Sequence, residues 1–91
     1  MQRYFFTLNF PMSDLIDPHG AEAPNLATAT RDAREAIREI TTEYIVEGKP
    51  LTLRGITICD EHEVALAEVT TKEAMDELMA PARFAFNGTK Q

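Results

Sequence analysis

At 91 residues, with 44% hydrophobic and 26% charged side chains, the chain has room for one globular domain and one modest core, and it is too apolar to be disordered over most of its length. Fifteen acids against nine bases give a net charge of −6, which favours solubility, repels polyanions and argues against nucleic acid as a partner. A single cysteine, Cys59, excludes an internal disulfide, and no apolar run has the length of a signal peptide core or a membrane span, so a reducing cytoplasm is the expected compartment.

The first element is a strand from Arg3 to Phe10, RYFFTLNF. Tyr4, Phe6, Leu8 and Phe10 alternate onto one face, the period of a half-buried strand rich in aromatics. Phe5 is apolar on the other face, which marks either cover from a neighbouring loop or a contact surface for a partner chain. Ser13 to Ile16 forms a short second strand, and Asp17-Pro18-His19-Gly20 has the residue order of a type I turn. Ala21 to Ala23 continues as a brief extended segment. Tyr4 to Ala23 is thus read as a hairpin with a kinked second arm.

A long helix starts at Asn25, a strong N-cap residue behind Pro24. Leu26, Ala29, Ala33, Ala36, Ile37, Ile40 and Tyr44 recur at spacings of three and four and predict the buried stripe. Arg31, Asp32, Arg34, Glu35, Arg38, Glu39, Thr42 and Glu43 lie on the opposite side, with Arg31–Glu35 and Glu35–Arg38 spaced for ion pairs. Gly48 and Pro50 supply the stop.

The third strand is expected within Leu51 to Asp60. Leu51 and Leu53 share one phase and Ile56 and Ile58 the other, so the slip at Arg54-Gly55 predicts a bulge or a strand that starts only at Gly55. Asp60 to Glu63 makes a polar turn and Val64 to Val69 the fourth strand. Thr70-Thr71-Lys72-Glu73 has the form of a capping box opening a short helix that stops at Pro81. Residues 82–91, with Phe84 and Phe86, are expected to be a tail beyond a single domain of residues 1–81. The order β-β-α-β-β-α predicts an α+β fold: a small antiparallel sheet with one long amphipathic helix on one face and a short C-terminal helix.

No GxGxxG, GxxxxGK[ST], HExxH or CxxC motif occurs, and the single serine, Ser13, has no triad partners, so no catalytic residue, cofactor or metal is assigned. Asp17 and His19 in one turn, and Asp60, Glu61, His62 and Glu63 in the other, could offer nitrogen and oxygen ligands if the two turns met in space. Cys59 would need an activating base to act as a nucleophile, and His62 is close in sequence but across a turn, so Cys59 reads as a structural thiol. Arg31, Arg34 and Arg38, at i, i+3 and i+7, line one flank of the helix, where they could meet phosphate or an acidic partner but more simply form a solvated face.

RYFFTLNF, LIDPHGAEAPN and ITICDEHEVALAEV together resemble a family of short proteins of unknown function found mainly in rhizobia and related alphaproteobacteria, over residues 3 to 80. That family tends to have Gly where Glu63 stands here. The resemblance implies no activity or site residue. The order of elements also resembles the partial RNase-H-like domain of HicB-type antitoxins. The expected function is a non-enzymatic binding or regulatory module acting through protein–protein contacts, as a homodimer, with Phe5, Arg31, Arg34, Arg38, Phe84 and Phe86 as interaction surface. An antitoxin that binds a toxin or RNA, and a small metal-dependent enzyme at the two turns, are the alternatives.

Overall fold

The computed structural model of the chain describes residues 1–76, and the fold is α+β. Five strands, β1 (Gln2–Asn9), β2 (Asp14–Ile16), β3 (Ala21–Ala23), β4 (Gly55–Cys59) and β5 (Ala65–Thr70), form one antiparallel sheet, with helix α1 (Leu26–Glu47) between β3 and β4. A short helix, α2, covers residues 71–76. The expected helix stop at Pro81, the tail 82–91, Phe84 and Phe86 lie outside the described residues.

The strand order is β2-β1-β4-β5, and β3 pairs with the N-terminal half of β1. Thr7 pairs with Ile16 and Tyr4 with Ala21, so three steps along β1 correspond to five on the returning arm. The two extra residues are absorbed at the Asp17–Gly20 turn, which splits the kinked second arm into β2 and β3. Phe6 lies opposite Ile58 and Leu8 opposite Ile56, while Ile56 faces Val69 and Ile58 faces Ala67 across the next ladder. Strict alternation therefore gathers Tyr4, Phe6, Leu8, Ile56, Ile58, Ala67 and Val69 on one face.

Helix α1 lies across that face. The Asn25 side chain accepts from the Thr28 backbone N–H at 2.9 Å. At the other end Gly48 is left-handed (φ 70°), and the Gly48 and Lys49 backbone N–H groups donate to the Ile45 and Tyr44 carbonyls. Ala29, Ala33, Ile37 and Thr41 are buried; Leu26, Ala36 and Ile40 pack at the margin. Two of these placements differ from the sequence reading. Tyr44 is only half-buried, and the position one turn beyond Ile37 that faces the core is Thr41, 4% exposed, whose hydroxyl has no partner among the described residues. The arginine flank is also less solvated than expected: Arg31 is exposed and lies 4.0 Å from Asp32, whereas Arg34 and Arg38 are half-buried and engaged.

Of the two readings of Arg54-Gly55, the late strand start holds. The Arg54 N–H donates to the Asn9 carbonyl (2.8 Å) and the Thr71 N–H to the Arg54 carbonyl (2.8 Å), so Leu53 and Arg54 tie the sheet end to α2. Leu53 is buried there outside any strand, and Leu51 is exposed. The bulge falls elsewhere, in β5, where Ile58 pairs with Ala67 but Cys59 with Ala65, leaving Leu66 unpaired. The capping box of α2 is closed in both directions, Glu73 N–H to Thr70 Oγ1 at 3.0 Å and Thr70 N–H to Glu73 Oε1 at 3.2 Å.

Candidate functional site on the open face of the sheet

The face of the sheet opposite α1 presents Phe5, Thr7 and Asn9 from β1, Thr57 and Cys59 from β4, and Ile16 from β2, following the same registers. Among the described residues no helix packs on it. It is not uniformly wet, because Phe5, Thr7, Asn9, Thr57 and Cys59 are all half-buried. Asn9 Nδ2 donates to Thr57 Oγ1 across the β1–β4 ladder at 2.9 Å, which fixes the middle of this face.

At one end the Asp17–Gly20 and Asp60–Glu63 turns stand up on either side of Phe5 and Cys59 and enclose a cavity of about 330 Å³. Its floor is Phe5, Thr7 and Cys59; Ile16 and Pro18 form one wall; Asp17, Asp60, Glu61 and Glu63 supply the rim. A second, more polar hollow of about 340 Å³ lies at the opposite end, between Asn9, Arg54, Thr57 and Thr70.

Each turn is built by an aspartate. Asp17 Oδ1 accepts from the His19 N–H at 3.0 Å. Asp60 Oδ1 accepts from the His62 N–H at 2.8 Å and the Val64 N–H at 3.0 Å. These contacts close the backbone where the ladder ends, the local use to which Asp is best suited. Gly20 follows at φ 70°, where an added Cβ would lie 2.8 Å from the Tyr4 carbonyl oxygen and 2.9 Å from the Phe5 ring. Phe5 is therefore partly covered by the first turn, and the remaining part of its ring forms the cavity floor.

The structure thus brings the two turns of the sequence analysis to one cavity, but of their candidate ligands only the acids line it. His19 and His62 are exposed and are not among the lining residues. Among the described residues no group of three His, Cys, Asp or Glu side chains is placed to hold a metal ion. Of the expected interaction residues, Phe5 is in the cavity. Arg31, Arg34 and Arg38 are on α1, across the sheet from it, with Arg38 beside a shallow surface hollow shared with Glu39, Thr42 and Glu43. Sequence reasoning missed Ile16 and Pro18 as walls. The signal available was that Ile16, an exposed apolar residue, pairs with Thr7 and so shares the face of Phe5.

Glu63 completes the second turn with φ 64°, the one non-glycine residue in the left-handed region among those described. A side chain there costs ~1–2 kcal/mol. Glu63→Gly is expected to stabilise the domain by about 1 kcal/mol in urea unfolding, the cavity losing one carboxylate; a destabilised variant would mean that the Glu63 side chain itself holds the turn.

The Val64 backbone N–H, against a smaller desolvation effect and aided by the His62 N–H and ring, holds the Asp60 carboxyl below the usual carboxylate range. The Thr70 hydroxyl and N–H do the same for Glu73. Both groups have folded-state pKa values depressed below their unfolded ones, so their stabilisation is complete above the ordinary carboxylate range (~4) and is lost as pH falls through the folded values. The urea midpoint is expected to hold between pH 7 and 5 and to drop below about pH 4. Asp60→Asn, which keeps the acceptor oxygen, is expected to flatten that drop; an unchanged profile would remove Asp60 from the linkage.

These features define a class, a small α+β domain with one sheet face buried under a helix and the other carrying an acid-rimmed apolar cavity. Within that class the chain belongs to the DUF6894 family, a domain of unknown function, whose model matches residues 3–72. No curated protein and no solved structure matches the chain. Among the described residues no helix is long and apolar enough to cross a membrane.

Proposed function

We propose that this chain is a non-enzymatic cytoplasmic binding module that acts through protein–protein contacts on the open face of its sheet. The observation that carries the reading is the cavity composition: an apolar floor and wall of Phe5, Ile16 and Pro18 beneath four carboxylates, with no basic residue lining it. Such a site complements a segment that joins Arg or Lys to aromatic or aliphatic side chains, the apolar part supplying buried area and the charge supplying selectivity and on-rate. An antitoxin-like role toward a basic toxin is one instance of this reading. It places the contact at the cavity rather than at Arg31, Arg34 and Arg38, two of which are already engaged.

Fluorescence anisotropy with the full chain tests it. Short peptides alternating Arg with Phe are expected to bind about ten-fold more tightly than peptides alternating Glu with Phe, the difference shrinking with salt. The double variant Glu61→Lys/Glu63→Lys is expected to reverse the preference. Equal binding of the two peptides, or a preference indifferent to the charge reversal, overturns the reading.

A further inference from the structure

The cavity asks for a basic, aromatic segment, and the chain carries two stretches that join Arg to Phe. One is Arg3 to Phe6 in β1, whose Phe5 is already the cavity floor. The other is Arg83-Phe84-Ala85-Phe86, within residues 82–91, which also hold Lys90 and none of the fifteen acids of an otherwise acidic sequence. Resting on the reading above, we infer that this C-terminal segment docks in the cavity of its own chain, as an internal ligand that a basic, aromatic partner must displace.

Charge complementarity is the first support. Arg83 and Lys90 match a rim of Asp17, Asp60, Glu61 and Glu63, with no basic residue in the cavity lining. Ile16, 63% exposed, and the uncovered part of the Phe5 ring offer apolar surface to Phe84 or Phe86, and an aromatic pair on Phe5 contributes beyond area alone. The second support is reach. Helix α2 starts beside Thr70, which pairs with Gly55 at the end of β4 away from Cys59 and the cavity, and Ala74 places it on the helix side of the sheet. The way to the cavity rim passes a helix layer about 10 Å thick and the length of the five-residue β4, about 17 Å, so roughly 27 Å in all. At ~3.3 Å per residue Phe86, ten residues beyond Asp76, has a limit of ~33 Å and Lys90 one of ~46 Å. A helical course over 77–80 lowers these limits to ~26 Å and ~39 Å, about the required span for Phe86 and more than it for Lys90. Tethering is the third support, and it decides between the chain's own cavity and that of a second copy. A segment joined to its site by so short a linker meets it at an effective concentration in the millimolar range, roughly a thousand times that of a second copy at 1 µM.

The test uses the full chain throughout, with Cys59, the sole thiol and part of the cavity floor, as reporter. Protection is the ratio of the iodoacetamide alkylation rate in Phe84→Ala/Phe86→Ala to that in the same chain with both phenylalanines, so the intrinsic reactivity of the thiol cancels. A ratio of about ten, equal at 1 µM and 100 µM, is expected. Arg83→Glu/Lys90→Glu and Glu61→Lys/Glu63→Lys are each expected to bring the ratio near one, and the two pairs combined in one chain to restore it. The Arg-Phe peptides are expected to bind Phe84→Ala/Phe86→Ala about ten-fold more tightly than the unaltered chain, because no segment is left to displace. A ratio near one in the unaltered chain overturns the docking, as does protection that both charge reversals leave intact. Protection that rises between 1 µM and 100 µM assigns the segment to a second copy, which also overturns it. If the ratio is near one yet the Arg-Phe peptides are still preferred to the Glu-Phe peptides, the docking fails while the binding reading stands. No preference even in Phe84→Ala/Phe86→Ala, where the segment no longer competes, overturns the binding reading itself.

Discussion

Gly55→Ala is expected to cost about 3 kcal/mol or more, and Gly55→Val to prevent folding. Gly55 opens β4 directly opposite Thr70, at the point where the sheet end, α2 and the Leu53-Arg54 segment converge. Its backbone is ordinary, so the constraint is space. A Cβ would fall inside van der Waals contact of the Val69 carbonyl oxygen and 3.0 Å from the Thr70 Cα, and both are backbone atoms fixed by the β4–β5 ladder. Relief requires β5 to move away from β4, which breaks ladder bonds and loosens Val69 and Ile56 in the core; overpacking of that kind sits at the upper end of the usual range. Gly48 provides the contrast. It is left-handed at φ 70° with nothing within 4 Å of an added Cβ, so Gly48→Ala is expected to cost only the conformational penalty of ~1–2 kcal/mol. Urea midpoints for the two variants decide the matter, and a Gly55→Ala cost no larger than that of Gly48→Ala would mean that β5 yields freely.

What could be read from the chain before folding, and what could not, divides along a physical line. Asn25, Gly48 and the Thr70–Glu73 box act on backbone groups within four or five residues, and each was readable because its partner is close in sequence. The 29-33-37 stripe was readable because helical periodicity is local. Thr41 escaped because its methyl fills a core position while its hydroxyl marks it as polar, and Tyr44, the more apolar choice, sits further round the helix. The late start of β4 was legible only as one of two outcomes, since the space around Gly55 is set by Val69 and Thr70, fourteen and fifteen residues away. The bulge at Leu66 left no signal in a run of small apolar residues, where either register buries a similar set. The cavity is the plainest case. Both turns were recognisable singly, but their meeting depends on β1 and β4 being neighbours with Phe5 opposite Cys59, a fact of topology that no local pattern encodes.

Ile37→Ala is expected to cost about 4 kcal/mol, close to the whole stability of a domain this size, for which ~4–11 kcal/mol is ordinary. Ile37 is fully buried and is the largest apolar side chain α1 places in the core, because its companions Ala29 and Ala33 are small. Those alanines let the helix backbone approach the sheet, so the helix is already near its closest packing and cannot settle further into the space that Ile37 leaves. The opposing wall is equally stiff, since Ile56 and Ile58 belong to β4, which is held by ladders to β1 on one side and β5 on the other. A cavity that neither wall can collapse retains nearly its full penalty, which places the substitution toward the upper end of the 2–5 kcal/mol seen for such truncations. Ile37→Val removes one methylene and is expected to cost about 1 kcal/mol. Ile45, two turns further along α1 and 69% exposed, is the control, and Ile45→Ala is expected to change stability by less than about 0.5 kcal/mol. Denaturant titrations of the three variants, compared at equal slope, separate the cases. Equal costs for Ile37→Ala and Ile45→Ala would mean that α1 does not lay its 29-33-37 face on the sheet, and the assignment of the opposite sheet face as the open one would fall with it.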